Sequence, residues 1–215
     1  MEENIYQNVV CCIITLELTK LIEFYEQNFI GADNMYGVIA YLDSETEQKI
    51  NDLRDGLGKE GIVGHGMRPH VTLSTHPDID IESFIVSFQN YFNDIGAVPL
   101  FFPTLAIFLN SGTLYAAPTK NSVLTDFHQR YHDQFKKEIN QQSLYIPDYW
   151  VPHCTLVMNL SHEDLVKAFD YSARNLEPFH ATIESVALIQ LTYEADICID
   201  VKDILTVKLK KGDVN

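Results

Sequence analysis

Cysteine is scarce in this 215-residue chain, and its four cysteines form no recognisable framework. Cys11 and Cys12 are adjacent, which makes them poor disulfide partners, and Cys154 and Cys198 stand alone. No Cys-x-x-Cys pair occurs, so the pattern is typical neither of a structural zinc site nor of a secreted disulfide scaffold. We therefore expect a reducing, cytoplasmic setting and a protein that uses no metal and no other cofactor.

Basic side chains are also few. The chain has 15 Lys and Arg against 30 Asp and Glu, which gives a formal net charge of -15. A protein that grips long nucleic acid needs a basic stripe, and an anionic membrane surface attracts basic segments. The charge therefore argues against both as partners, and a small nucleotide or the end of a short RNA is the expected substrate.

Long apolar runs are missing as well. The run from Val9 to Leu16 is too short to span a bilayer, and Glu2 and Glu3 do not form the basic start of a signal peptide. The 46% hydrophobic content is nevertheless enough to bury one sizeable core. The composition thus predicts one folded domain of ordinary size.

The order of apolar and turn-forming residues divides the chain into two parts. Residues 1–35 are predicted to form an N-terminal extension that is mainly helical, and residues 36–215 form the domain. Within the domain, strand–helix–strand–helix–strand is predicted twice, which favours an α+β fold with two similar lobes facing one another. A last strand pair is predicted at 197–209.

Each copy of the repeat has its own local signals. In the first copy Ser44 is predicted to cap a helix that ends at Gly56 and Gly58. Residues 98–109 are predicted to form one strand. Asn110-Ser111-Gly112 predicts a tight hairpin turn between the copies. The remaining elements predicted are strands at 36–42, 69–74, 113–117, 151–158 and 179–191, and helices at 81–92, from 121 or 122 to about 139, and from Ser161 to about 176.

One pentapeptide, Pro-His-x-Thr-Leu, occurs at the start of the middle strand in both copies. The two are Pro69-His70-Val71-Thr72-Leu73 and Pro152-His153-Cys154-Thr155-Leu156. Such a pentapeptide arises by chance about once in a thousand chains, and two arise about once in a million. Because side chains alternate across a strand, each motif is predicted to present an imidazole and a hydroxyl on one face and two apolar groups to the core.

Two imidazoles and two hydroxyls in one cleft suit in-line attack on phosphorus. One neutral histidine can accept a proton from the attacking group, while the other, protonated, donates one to the leaving oxygen. The hydroxyls of Thr72 and Thr155 can donate hydrogen bonds to the non-bridging phosphate oxygens. This chemistry requires no metal, and His-x-Thr offers only one good metal ligand per strand. The alternative of two packed or surface histidines is disfavoured by the repetition.

The paired His-x-Thr motifs, the PHCTL form of the second and the doubled layout resemble the two-histidine (2H) phosphoesterase superfamily. Within it they are most similar to the 2'-5' RNA ligase or LigT-like cyclic phosphodiesterase branch. The resemblance covers about residues 36–210. It implies a bilobal fold with two antiparallel sheets facing a central cleft and helices outside.

The resemblance also implies an activity. It implies His70 and His153 as general acid and base, Thr72 and Thr155 as phosphate ligands, and hydrolysis of 2',3'-cyclic or 2'-5' linked nucleotide phosphodiesters. Two other functions stay open. Reversible 2'-5' RNA joining would use the same residues and is disfavoured by the acidic charge, and a nucleotide-binding module would hold its ligand without turnover.

Further residues near the motifs are candidate substrate contacts. Arg68 could reach a phosphate or lie in a surface loop. Tyr149, Trp150 and Tyr115 could stack on a base, although such aromatics more often pack in a core.

Two other residue types near the motifs are given a structural interpretation. His128 and His132 have metal-ligand spacing on a predicted helix, but solvated helix positions are expected for them. Cys154 is expected on the core side of its strand and is not interpreted as a nucleophile.

Overall fold

Eight strands and four helices form two lobes within residues 35–63, 66–77, 79–109, 111–194 and 197–211, which the computed structural model describes. The N-terminal extension predicted for residues 1–35 lies outside these ranges except for Met35, which begins the first strand. The strands are β1 Met35–Leu42, β2 His70–Pro77, β3 Val98–Phe102, β4 Thr104–Phe108, β5 Thr113–Ala117, β6 Cys154–Val157, β7 Phe179–Glu194 and β8 Ile197–Lys208. The helices are α1 Ser44–Lys59, α2 Ile81–Phe92, α3 Ser122–Gln134 and α4 His162–Asn175. None of these helices is long and apolar enough to cross a membrane.

Two antiparallel sheets carry the lobes, which confirms the predicted α+β class. The first has the order β2-β1-β7-β3, with β8 also paired to β7, and the second has the order β4-β5-β6. Strand β7 comes from the second half of the sequence but lies in the first sheet, while β4 comes from the first half and lies in the second sheet. The two halves therefore exchange strands, and neither lobe is built from one half alone.

The stretch 98–109, predicted as one strand, forms two strands in different sheets. Pro103 separates them, and proline has no N–H with which to continue a ladder. Strand β3 pairs with β7 in the first sheet, and β4 pairs with β5 in the second. This break is where the chain crosses from one lobe to the other, and the prediction of a single strand was wrong.

Helix α1 begins and ends differently from the prediction. Its N-cap is Asp43 rather than Ser44, since the Asp43 carboxylate accepts the Thr46 N–H at 2.9 Å. The helix continues through both of its glycines to Lys59. Packing of its apolar face into the core outweighs the cost of about 1 kcal/mol that each internal glycine adds.

Other boundaries shift by smaller amounts. Ser161 caps α4 as predicted, with its hydroxyl accepting the Asp164 N–H at 3.1 Å. Helix α3 ends at Gln134, earlier than expected, and β6 begins only at Cys154 because Pro152 cannot contribute a ladder hydrogen bond. The residues predicted as a last strand pair form the single strand β8, which pairs with β7.

The first sheet has apolar side chains on both faces. One face packs with the helices and the second sheet in a continuous core. The opposite face carries a separate small cluster of Ile39, Tyr41, Ala187 and Ile189, with Met67 packed against it. His70 and Thr72 are the register partners of Tyr41 and Ile39, so the half-buried side chains of the first motif lie on this second face.

The β4–β5 hairpin gives a test of the turn geometry. Gly112 has φ +55, a left-handed conformation, and a Cβ at this position would collide with the Leu160 carbonyl oxygen. The substitution Gly112→Ala should therefore lower the free energy of unfolding by about 1–3 kcal/mol. The control is Gly58→Ala in α1, where a Cβ meets nothing within 4 Å and a gain of up to about 1 kcal/mol is expected. Urea unfolding measures both, and equal effects would contradict the strained turn.

Candidate active site

Both His-x-Thr motifs lie at edge strands, β2 in the first sheet and β6 in the second. Their exposure follows one pattern: the proline, the middle residue and the leucine are buried, while the histidine and threonine are half-buried. Cys154, the middle residue of the second motif, is buried, and burial raises the pKa of its thiol to about 11. A thiol with such a pKa is a poor nucleophile at neutral pH.

The two motif histidines make the same hydrogen bond. His70 donates from Nδ1 to the Arg68 carbonyl oxygen at 2.7 Å, and His153 donates from Nδ1 to the Val151 carbonyl oxygen at 2.7 Å. A carbonyl oxygen can only accept, so the hydrogen lies on Nδ1 in both rings. Nε2 then carries the lone pair of each neutral imidazole, and both histidines offer the same nitrogen for proton transfer.

A β-bulge follows each motif threonine. The pairing of β2 with β1 skips Leu73, and the pairing of β6 with β5 skips Leu156. A bulge bends its strand and redirects the side chains on either side of it. The duplication thus includes one backbone irregularity as well as the five residues of the motif.

Each half of the chain braces the motif of the other half. Trp150, from the second half, donates its indole Nε1–H to the Thr72 carbonyl oxygen at 2.9 Å. Arg54, from the first half, donates to the Thr155 carbonyl oxygen at 2.6 Å and to the Met67 carbonyl oxygen at 2.7 Å. These bonds give the carbonyl groups of the two threonines side-chain donors from the other half of the chain, and they tie the two motif segments together.

His128 and His132 are buried, and their prediction as solvated helix residues was wrong. Both donate from Nε2 to the carbonyl oxygen of the bulged Leu73, each at 3.0 Å. The His128 ring stacks on Trp150, with centroids 3.6 Å apart and planes 2° from parallel. Burial, reinforced by His132, lowers the pKa of His128 to about 3, so these histidines are neutral struts beneath the first motif.

The surroundings of His153 are aromatic. Phe108 meets its ring edge-on at 4.8 Å between centroids, and Tyr115 lies 5.2 Å away. Burial lowers the pKa of His153, while the bond to the Val151 carbonyl acts in the opposite sense. The net result favours the neutral imidazole, which is the form that accepts a proton.

The surroundings of His70 are polar. Its register partner on β1 is Tyr41, whose hydroxyl donates to the Asp203 carboxylate at 2.8 Å. The Arg68 guanidinium lies 3.8 Å from the Tyr41 ring centroid and forms an ion pair with Glu47 at 2.7 Å. Two identical motifs therefore face different environments.

The candidate substrate contacts fall in three kinds of place. The Arg68 side chain is 48% exposed at the rim, and Tyr149 is exposed. Tyr115 is buried beside His153, and burial raises its pKa. Trp150 is 2% exposed and lies in the core, so its predicted role in stacking on a base is replaced by bracing of the first motif.

Sequence reasoning missed Arg54, Phe108 and Tyr41. Arg54 had a readable signal, because it lies among Ile50, Leu53 and Leu57 on the apolar face of α1. Phe108 and Tyr41 looked like ordinary strand residues, and only the pairing of strands places them beside the motifs. Within the described ranges no group of three or more His, Cys, Asp or Glu converges as a metal site.

Comparisons with known proteins relate this chain to a family. The model of the 2'-5' RNA ligase superfamily matches residues 42–193. No curated protein sequence matches the chain.

Solved structures show the same fold at low sequence identity. Apo LigT of E. coli is 13% identical with a TM-score of 0.58, covering 82% of this chain and 98% of that one. LigT of E. coli complexed with 3'-AMP is 13% identical with a TM-score of 0.55, covering 82% and 97%. A protein described as a phosphoesterase is 13% identical with a TM-score of 0.59, covering 83% and 99%.

Acid should destabilise the protein through its buried histidines. Folding lowers the pKa of His76 to about 4 and of His128 to about 3, from an ordinary value near 6.5. The unfolded chain therefore takes up these protons first as the pH falls. The contribution of these neutral histidines to the free energy of unfolding is complete above about pH 6.5 and is lost as the pH falls towards 4 for His76 and 3 for His128. Over this range the free energy of unfolding falls by up to about 1.4 kcal/mol per pH unit for each histidine.

Urea unfolding between about pH 7 and pH 5 measures this slope. His76→Gln should unfold more easily at neutral pH but should show a shallower dependence on pH. The matched control is His162→Gln, since His162 is exposed at the start of α4. An unchanged slope in His76→Gln would show that its proton is not responsible.

Proposed function

The chain belongs to the 2'-5' RNA ligase superfamily, and from that premise we propose that it is a metal-independent phosphodiesterase acting on 2',3'-cyclic or 2'-5' linked nucleotide phosphodiesters. His70 and His153 are the proposed acid–base pair. The observation that carries the proposal is the equal state of the two rings, each with Nδ1–H fixed on a carbonyl oxygen at 2.7 Å. Two edge strands held side by side then offer two Nε2 atoms to one substrate.

His153 is the proposed general base for hydrolysis. Its aromatic, buried surroundings lower its pKa and so favour the neutral ring. Its Nε2 accepts a proton from water as the water oxygen bonds to phosphorus. Protonated His70 donates from Nε2 to the ribose oxygen as the phosphorus–oxygen bond breaks, and proton exchange with solvent then resets both rings.

Thr72 and Thr155 are the proposed phosphate ligands. Each threonine lies two residues after its histidine on the same strand face, so its hydroxyl can donate to a non-bridging oxygen of the same phosphate. The backbone at each threonine is fixed from behind, by Trp150 at Thr72 and by Arg54 at Thr155. Such bracing suits a site that must hold the developing charge in place.

A small substrate fits this chain best. Its net charge of -15 disfavours the backbone of long RNA, while LigT of E. coli has been crystallised with 3'-AMP and with ATP. Arg68 is the proposed rim contact, because its ion pair with Glu47 is partly exposed and an incoming phosphate can compete for it. Phe108 and Tyr115 form an apolar wall against which a base or ribose can lie.

Loss of either motif histidine should abolish most turnover. Each histidine contributes a factor of about 10²–10⁴ to the rate through acid–base catalysis, so the turnover rate of His70→Ala and of His153→Ala should each fall by that factor. The rate of the double variant should fall by far less than the product of the two factors. The assay uses 2',3'-cyclic nucleotides and short 2'-5' linked oligonucleotides with EDTA present. His180→Ala, exposed on β7, is the matched control.

The same panel separates the alternatives. Turnover lost on adding EDTA alone would reveal a metal-dependent site and overturn the mechanism. Tight binding of a nucleotide that survives long incubation would favour a binding module. Formation of 2'-5' linked product from a 2',3'-cyclic end would favour joining, which runs the same proton transfers in reverse.

A substrate with a good leaving group tests the division of roles. An aryl phosphodiester such as a p-nitrophenyl ester needs no proton on its leaving oxygen, so a defect in the acid should shrink to about tenfold or less, while a defect in the base should stay near 10²–10⁴. We expect the first behaviour for His70→Ala and the second for His153→Ala. The opposite result would exchange the two roles.

A further inference from the structure

Arg54 is a buried cation between the two motifs. It is 7% exposed and projects from the apolar face of α1. Its guanidinium donates to the Met67 carbonyl oxygen, in the segment that leads into the first motif, and to the Thr155 carbonyl oxygen in the second.

The charge of Arg54 is not neutralised by any described carboxylate. No carboxylate among the described residues lies within ion-pair distance of its guanidinium. Its longest hydrogen bond, at 3.4 Å, goes to the neutral amide oxygen of Asn51. Its buried Nε has no hydrogen-bond partner in the same residues. Burial of an unpaired cation is costly, and none of the described acidic residues forms an ion pair with this one.

Bracing alone does not require a charge. The first motif is braced at the equivalent carbonyl, that of Thr72, by the neutral indole of Trp150. A neutral donor therefore suffices to hold a motif strand, and the cation at Thr155 is in excess of that need. This excess charge lies behind both motifs in a low-dielectric interior. Its positive potential therefore extends into the space between the motifs.

We propose that Arg54 is a positioning residue with two functions: its guanidinium sets the spacing of the two motif strands, and its unpaired charge attracts an anionic phosphate into the cleft. The proposal rests on the proposed function, which places a phosphate between the motifs. The phosphate supplies the negative charge that no described carboxylate places beside Arg54. In a chain of net charge -15, this local cation offsets the repulsion that a phosphodiester meets on approach.

The two functions of Arg54 can be separated by substitution. Arg54→Lys keeps the positive charge, but a single ammonium lacks the planar fork that reaches two carbonyls at once. Arg54→Met keeps much of the volume and removes both functions. Arg174→Gln is the matched control, because Arg174 is exposed on α4 and its loss changes the net charge equally.

The first measurement is binding of inorganic phosphate to the full chain by calorimetry at low ionic strength. Arg54→Met should bind phosphate about tenfold more weakly or worse, whereas Arg54→Lys and Arg174→Gln should stay within about threefold of the unaltered protein. The second measurement is turnover, in which Arg54→Lys should keep KM within about threefold and lose kcat by about tenfold or more.

The outcomes distinguish this inference from the proposed function. Phosphate binding lost in Arg54→Met supports the charge function even where no panel substrate is turned over, which would refute only the proposed activity. Undiminished phosphate binding in a folded Arg54→Met, or no measurable binding by the unaltered protein, overturns the charge function. If Arg54→Met gives no folded near-ultraviolet spectrum, Arg54→Gln replaces it with the same expected loss. Unchanged kcat in Arg54→Lys overturns the bracing function.

Discussion

The hydrogen-bond requirement of two edge strands shapes the rest of this site. Among the described strands, β2 and β6 each lack a neighbour on one side, and each carries one of the His-x-Thr motifs. Carbonyl groups left there need donors when water is excluded. Trp150 and Arg54 supply them at the two motif threonines, so the side chains that satisfy the backbone are the same ones that hold the proposed catalytic motifs in place.

The source of these donors makes the two lobes one unit. Trp150 belongs to the second half of the chain and donates a hydrogen bond to the first motif. Arg54 belongs to the first half and donates to the second motif. The strands are exchanged in the same sense, with β7 in the first sheet and β4 in the second. Neither half can complete its own motif, so the spacing of the motifs depends on the assembled domain and not on a flexible link between lobes.

The sequence predicts those parts of the structure that have a local cause. The α+β class, the turn at Gly112 and the buried and half-buried positions of the motifs all follow from turn residues and period-two alternation. The bulges at Leu73 and Leu156 and the burial of His128 depend on partners distant in sequence, and no local pattern encodes them. Arg54 lies between the two cases, since a cation on an apolar helix face signals an unusual role without naming its partners.

Duplication of a motif does not make its copies equivalent. The two histidines share one hydrogen bond and one ring state, yet His153 lies among aromatic rings and His70 beside an ion pair and a tyrosine–carboxylate contact. Acid–base catalysis at a phosphodiester needs one group that releases a proton while another takes one, so two identical environments would serve it poorly. The two rings share one backbone arrangement, but burial among aromatic rings lowers the pKa of His153, and this difference in surroundings is the physical basis of the proposed division of acid and base roles.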